Sequence, residues 1–334
     1  MRLILIGFGV VGQGLAKLLR DQASYLLDQD SFTAQIVGVA TRSRGILYHA
    51  GGLDIDALLS AIERGHLDNY PPTEGLIRDW DTPQLIRESA ADVMVEISYS
   101  DLKTAQPAFD YCQSALDSGK HLVLANKGPV ALHLEALRSH ARRTGKKVYF
   151  ESTVMAGTPA LRLAADGLAG CQVLSARGIL NGTTNYILTQ MENGMAYDTA
   201  LAQAQKLGYA EADPTADVDG WDAAGKAVIL GAMLFGKQYD LSTMSVTGIS
   251  GLSTQDIEAA QKAGERWKLI ATVSGDECRV EPLRLPLEHP LASVTGATNA
   301  VTYTTDHLGE VTLVGPGAGQ TATAVGLLAD LLHI

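Results

Sequence analysis

Short, unbroken apolar runs alternate with longer amphipathic stretches over the first 150 residues of this chain. Leu3–Ile6, Gln35–Ala40, Asp92–Ile97, His121–Ala125 and Lys147–Glu151 read as strands. Val10–Leu27, about Thr104–Ser118 and about Val130–Thr144 carry helical periodicity between them. Strands that are apolar throughout, separated by amphipathic helices, imply a parallel sheet covered on both faces. Residues 45–80 are less regular, with one helix over Asp54–Arg64 and a break at Pro71-Pro72. After Glu151 the pattern changes. A strand over Val173–Leu180 precedes helices near Thr184–Glu192, Asp198–Leu207, Asp222–Phe235 and Thr254–Glu265, with strands at Leu269–Ser274 and Arg279–Leu285. Two β-rich runs follow, Ala300–Thr305 and Glu310–Val314, then the turn Gly315-Pro316-Gly317-Ala318-Gly319 and a closing helix Thr323–Leu332. The expected architecture is α/β: a Rossmann-type parallel-sheet domain over 1–150, an α+β domain over 151–310, and a segment over 311–334 that returns to the first domain.

Composition narrows the function. The chain has 334 residues, 46% of them hydrophobic and 19% charged, as expected of a compact protein of two domains. Its net charge of −11 and lack of a basic stripe argue against nucleic acid as a partner. The N-terminus opens on a strand rather than a leader, and no run approaches the ~20 apolar residues of a membrane span. Cys112, Cys171 and Cys278 are few, odd in number and far apart, so they read as buried or free thiols in a reducing compartment, which the cytoplasm provides. No Cys or His spacing suits a transition metal.

Gly7-Phe8-Gly9-Val10-Val11-Gly12 follows the first strand and opens a helix. In that setting Gly7 makes the tight turn, Gly9 lets backbone approach a pyrophosphate, and Gly12 lets helix and strand pack closely. A dinucleotide site follows, with Gly7, Phe8, Gly9, Val11 and Gly12 as its lining. An acid at the end of the second strand usually holds the ribose 2′-hydroxyl. Here the strand runs into Thr41-Arg42-Ser43-Arg44, so Arg42 and Arg44 favour the 2′-phosphate of NADP over NAD. Ligands of open α/β sheets bind outside the C-terminal strand ends. That rule puts Ser98 and Lys127, each just past a strand, near the nicotinamide.

In the second half, Tyr209–Lys226 packs five carboxylates into a short run and then enters an apolar helix. Asp222 and Lys226 are four apart, so on a helix they share a face. A lysine at the edge of a buried helix with a carboxylate one turn before it has the tunable pKa of a general acid. The alternative is an ordinary surface ion pair. Asn181-Gly182-Thr183-Thr184-Asn185 begins a helix whose backbone amides can hold a carboxylate, while Thr183 or Thr184 serves as its N-cap.

Together these motifs resemble homoserine dehydrogenase over nearly the whole chain. Ala125-Asn126-Lys127, Glu151-Ser152-Thr153-Val154, Asn181–Ile187, Gly208–Lys226 and Gly315–Gly319 carry the resemblance with the glycine fingerprint. It implies NAD(P)H-dependent reduction of L-aspartate 4-semialdehyde to L-homoserine, toward threonine and methionine. It implies Lys226 as proton donor, Glu211 and Asp222 as ligands of the substrate's amino and hydroxyl ends, and Lys127 as a second lysine between nicotinamide and substrate. Gly182 and Thr183 are expected at the substrate carboxylate, and Gly208 and Gly317 on the cofactor side. Glu151, with main-chain oxygens of Val154, Ala156 and Thr158, resembles a site for sodium or potassium at the domain junction. Met155-Ala156 departs from the family's more usual Gly-Gly or Gly-Ala. Ser98 replaces its usual Thr. A homodimer built from the second domain is implied, and the chain's end at Ile334 implies no regulatory domain. Asp213, Asp217 and Asp219 are expected to serve the loop and helix cap. The competing readings are another amino-acid dehydrogenase or imine reductase, and a dinucleotide sensor without turnover.

Overall fold

Six strands, β1 (Arg2–Ile6), β2 (Gln35–Ala40), β3 (Ile46–Tyr48), β4 (Val93–Glu96), β5 (His121–Leu124) and β6 (Val148–Tyr149), form one sheet in the order β3-β2-β1-β4-β5-β6. All neighbours are parallel except β2 and β3. The chain goes from β1 to β2 on one side and later places β4 on the other, so the β1/β4 crevice is the topological switch point of a doubly wound sheet. The computed structural model describes residues 1–334. Contacts divide them into two units, Met1–Gly157 with Gly319–Ile334, and Thr158–Ala318.

Apolar side chains on the strands drive the first unit together. Leu3, Leu5, Ile36, Val39, Val93, Val95 and Val123 are buried in one cluster with Leu15 and Leu19 of the first helix. The last helix, Gln320–Leu332, adds Ala324, Leu327, Leu328 and Leu331 to that core. It returns to the first unit as the hydrophobic pattern suggests.

The second unit is built on six more strands: β7 (Val173–Ile179), β8 (Ser245–Val246), β9 (Glu265–Ser274), β10 (Cys278–Pro286), β11 (Thr298–Thr305) and β12 (Gly309–Pro316). Their order is β12-β11-β7-β9-β10-β8, antiparallel except for the β8–β10 edge. Helices Gly182–Glu192 and Trp221–Phe235 belong to the same unit. The latter is apolar nearly all round, with Ala223 to Ala232 buried without interruption, as expected of a helix sunk in a core.

The unit boundaries lie later than 150 and 310. Glu151 and Ser152 stay with the first unit because Glu151 N–H donates to Asp330 (2.9 Å) and Ser152 Oγ to the Thr323 carbonyl (2.9 Å). Residues 311–316 belong to the second because β12 pairs with β11 along its whole length. Val10–Leu27 is two helices, Val10–Asp21 and Ala23–Asp30, broken at the exposed polar run Arg20-Asp21-Gln22. The helix expected to reach Glu265 stops at Lys262, where Gly264 (φ 74°) turns the chain into β9. β3 lies in the stretch whose pattern is weakest, and the short helix Thr82–Glu88 follows just after it.

Candidate active site

The glycine turn of the first unit has a distinct geometry at each position. Gly7 adopts φ 105°, and a Cβ there would stand 2.6 Å from the Ile97 carbonyl oxygen at the end of β4. A Cβ on Gly12 would meet the Gly7 carbonyl at 2.9 Å, which lets helix and strand close on each other. Around the Cβ position of Gly9 there is nothing within 4 Å, so the backbone at the helix start faces open space. That opening, at a helix N-terminus on the switch-point crevice, fits a pyrophosphate. Phe8 is buried beneath the turn and Val11 is partly buried.

Arg42 and Arg44 lie in the turn between β2 and β3. Arg42 is exposed. Arg44 N–H donates to Thr41 Oγ1 (2.8 Å), and its guanidinium reaches the Phe8 carbonyl at 3.5 Å. The fold thus brings Arg44 to the glycine turn and leaves Arg42 extended into solvent.

Past β4 and β5 the chain ties itself together. Asn126 caps the helix Lys127–Thr144, its Oδ1 accepting from Gly128 N–H (3.0 Å). Its Nδ2 donates to Ser98 Oγ (3.2 Å) and to the Tyr99 carbonyl (3.1 Å). Lys127 N–H donates to Ser100 Oγ (2.9 Å), so Ser98 and Lys127 sit on one braced pair of loops.

In the second unit Lys226 is buried, 6% exposed. Its Nζ donates to the Leu180 carbonyl (2.6 Å) and to Asp222 Oδ2 (2.8 Å). Asn181 Nδ2 donates to the same Asp222 oxygen (3.0 Å) and to Asp217 Oδ1 (2.7 Å). Burial holds the Asp217 carboxyl above the usual carboxylate range; Asn181's hydrogen bond opposes this, and Asp222's charge adds to it. The ion pair is therefore part of a partly buried network around the buried Lys226 and Asn181 rather than a surface pair.

Two expectations change here. The N-cap of Gly182–Glu192 is Asn181, whose Oδ1 accepts from Thr184 N–H (2.9 Å), and neither threonine caps it. Thr183 Oγ1 instead donates to the Tyr209 carbonyl (2.6 Å) and Thr184 Oγ1 to Asn181. Asp217 is not a plain loop residue, since it shares Asn181 with Asp222. Asp213 does serve the loop, accepting from Thr215 N–H (3.1 Å) and Oγ1 (2.6 Å). The part played by Asn181 and Asp217 escapes sequence reasoning because nothing local shows that β7's end meets Asp217 and Asp222. The one available signal is an Asn directly after an apolar strand.

Glu211 is exposed and is tied to Gln205 through its main-chain carbonyl (3.1 Å), away from the lysine's hydrogen bonds. Gly182 starts its helix with its Cβ position 2.6 Å from the Ala297 carbonyl. Gly208 makes a left-handed turn (φ 77°) with open space beside it. Gly317 lies in the second unit, where a Cβ would strike the Asn299 amide at about 2.0 Å. That packing alone accounts for a glycine there. Glu151 is buried and opens the turn Glu151–Thr153. Met155 and Ala156 both take left-handed φ, 58° and 53°, so the backbone keeps a glycine-like path without glycine. Thr158 Oγ1 donates to the Pro316 carbonyl (2.9 Å). No group of three or more His, Cys, Asp or Glu side chains is arranged to hold a metal, and no helix is long and apolar enough to cross a membrane.

A doubly wound sheet with an open glycine turn in one unit, and a lysine–carboxylate network in the other, are the features of an NAD(P)-dependent oxidoreductase acting on an alcohol or aldehyde. Two family models match, homoserine dehydrogenase over residues 159–332 and its NAD-binding domain over residues 7–151. An NAD(+)-dependent homoserine dehydrogenase of Pseudomonas canavaninivorans is 42% identical, covering 100% of this chain and 96% of its own. A solved structure from Archaeoglobus fulgidus, provisionally assigned as homoserine dehydrogenase, matches with TM-score 0.89 and 34% identity over 100% of this chain and 98% of that one. A hyperthermophilic archaeal homoserine dehydrogenase solved with NADPH matches with TM-score 0.82 and 29% identity over 99% and 96%. The chain belongs to the homoserine dehydrogenase family.

Proposed function

We propose that the chain reduces L-aspartate 4-semialdehyde to L-homoserine with NADPH, on the route to threonine and methionine. The observation that carries this reading is the burial of Lys226 with its Nζ held by the Leu180 carbonyl and Asp222. The bound nicotinamide supplies a hydride. Negative charge then develops on the substrate's carbonyl oxygen, and Lys226 is the group that stabilises it and delivers the proton. Asp222 aims the ammonium through its hydrogen bond, and Asn181 fixes Asp222 from its other side. The amides at Gly182 and Thr183, at the start of an eleven-residue helix, suit the substrate's α-carboxylate. Glu211, exposed on its loop, is the proposed ligand of the α-ammonium, and Lys127 is proposed to act between nicotinamide and substrate.

Gly7, Phe8, Gly9, Val11 and Gly12 would hold the pyrophosphate, with Ser98 at the nicotinamide end and Gly208 and Gly317 as further cofactor-side positions. Arg44 at the turn and exposed Arg42 support NADP over NAD, while the Pseudomonas relative is named for NAD(+). Within the first unit, the buried Glu151 carboxylate and the Val154 and Ala156 carbonyls are the hard oxygens proposed for sodium or potassium. A homodimer and a cytoplasmic location complete the reading.

The test is oxidation of NADPH by aspartate semialdehyde, in the wild type and in Lys226→Ala. Turnover by the wild type and its loss in the variant, with NADPH still bound, are expected. Turnover of other amino-acid aldehydes or imines in preference would point to a different dehydrogenase. Cofactor binding without any turnover would point to a sensor.

A further inference from the structure

One buried acid in the first unit is unused by this chemistry. Glu96 ends β4, is 0% exposed, and lies two residues before Ser98. Its Oε1 gathers three donors: Ser98 N–H (3.0 Å), the Ser98 hydroxyl, and Asn126 Nδ2 (3.3 Å). Its Oε2 is buried without a partner. A carboxyl so deeply buried carries a desolvation penalty, and an apolar residue of similar size would avoid it. What the carboxyl does here is specific. It joins the loop after β4 to the loop after β5, and those loops carry Ser98 and Lys127. Asn126 extends the same bracket to the Tyr99 carbonyl and to the helix start at Gly128.

We propose that Glu96 is a positioning residue for cofactor binding: its single acceptor oxygen sets the rotamer of Ser98 and the amide of Asn126, and so fixes the strand ends against which the nicotinamide end of the dinucleotide docks. The inference rests on the reading that Ser98 faces the bound cofactor. The hydroxyl of Ser98 donates to Glu96 and accepts from Asn126. With its proton committed inward, its remaining lone pair is presented outward as an acceptor. Without Glu96, Ser98 has three rotamers to choose from, and the backbone N–H at Ser98 loses its acceptor. Locking polar groups through buried neighbours is the usual way a binding geometry is held to fractions of an ångström. Only one carboxyl oxygen is engaged, so an amide oxygen can replace it.

The test is a fluorescence titration of NADPH without substrate, alongside the melting temperature of the cofactor-free protein. The variants are Glu96→Ala, Glu96→Gln, Ser98→Ala and the double variant Glu96→Ala/Ser98→Ala. Glu96→Ala is expected to raise the NADPH Kd about tenfold, the loss of roughly one oriented hydrogen bond. Glu96→Gln should restore it to within about twofold, since one acceptor suffices. The double variant should bind no worse than the weaker single one, because both changes remove the same interaction. Folded Glu96→Ala with wild-type Kd would overturn the proposal, as would effects that multiply in the double variant. If Glu96→Ala does not melt cooperatively, the pair Ser98→Ala and Asn126→Ala decides on the same titration. Non-additive losses support the bracket, and independent losses or none overturn it. None of these readings involves the aldehyde, so Lys226-dependent turnover stands or falls separately.

Discussion

At the scale of single residues, the buried Lys226 and its hydrogen-bonded carboxylate carry the sharpest expectations. Lys226→Ala removes the proposed proton donor, so it should still bind NADPH while kcat falls by about 10²–10⁴, the range for loss of a general acid. An unchanged kcat would take Lys226 out of the mechanism. Asp222→Asn should also lower kcat. Asp217→Asn should lower kcat by about tenfold through Asn181, because a buried hydrogen-bonded pair couples by about 1.4 kcal/mol or more. Asp213→Asn, whose carboxylate only holds Thr215, should leave kcat within about twofold. If Asp213→Asn and Asp217→Asn behave alike, the network has no bearing on catalysis. Arg42→Ala and Arg44→Ala should weaken NADP(H) far more than NAD(H), and equal losses for both cofactors would show that neither reads the 2′-phosphate. Glu96 adds a pH signature. Burial raises its carboxyl from the ordinary 4.5 to about 7. Below pH 4.5 both folded and unfolded chains hold its proton and no stability is lost. Between 4.5 and about 7 only the folded chain holds it, so stability falls as pH rises and the loss is complete above about 7, reaching about 3 kcal/mol. Glu96→Gln removes that slope. Its stability relative to wild type, from urea melts at pH 5 and pH 8, should grow with pH. A constant difference would show that Glu96 titrates normally.

At the scale of elements, the pattern of apolar runs was enough wherever one strand or helix buries its own residues. β1, β2, β4 and β5 and the helices around them were legible because a buried parallel strand is a nearly unbroken apolar run, with Glu96 at the end of β4 the buried exception. The glycine fingerprint was legible for the same reason: φ 105° at Gly7 and the approach at Gly12 leave no other residue. What stayed hidden depends on partners distant in sequence. Asn181 outcompetes two threonines as N-cap, and that choice follows from Asp217 and Asp222 claiming its amide while its carbonyl oxygen holds Thr184. The split at Gln22 and the early stop at Lys262 depend on exposure and on one left-handed glycine. Asp217 was misread because an acidic run looks solvated until the fold sinks one member of it. Glu211 stands in the same run and stays exposed, so the pattern of charge alone does not distinguish the two. Residues placed through the resemblance, such as Gly208 and Gly317, have local geometries explained by a left-handed turn and by Asn299, and a cofactor role for them needs its own binding test.

At the scale of the whole molecule, the first unit is discontinuous in sequence, and this has a thermodynamic consequence. Its sheet is complete by β6, yet the core under that sheet is finished only by Ala324, Leu327, Leu328 and Leu331 from the last helix. The close fit is visible at Gly14, where a Cβ would stand 2.7 Å from Gln320 Cγ, and at Gly157, where it would meet the Ala322 carbonyl at 2.3 Å. Gln320 Nε2 also donates to the Val10 carbonyl (2.9 Å), at the start of the helix that carries the glycine turn. The turn's geometry therefore rests on a helix encoded some 310 residues later. Leu327 is fully buried, and its truncation to Ala should lower stability by about 2–5 kcal/mol, the range for a large-to-small change in a packed core. Because Leu327 packs in the core cluster of the first unit, the loss should be one of stability in that unit. Saturating NADPH should recover part of the melting temperature, since a ligand that binds only the folded state stabilises it by mass action. Lys226→Ala should respond to NADPH as the wild type does. A Leu327→Ala variant that melts like wild type would mean that the last helix is not needed to complete the core of the first unit. One that melts low and gains nothing from NADPH would mean that the helix is required to form the binding turn itself.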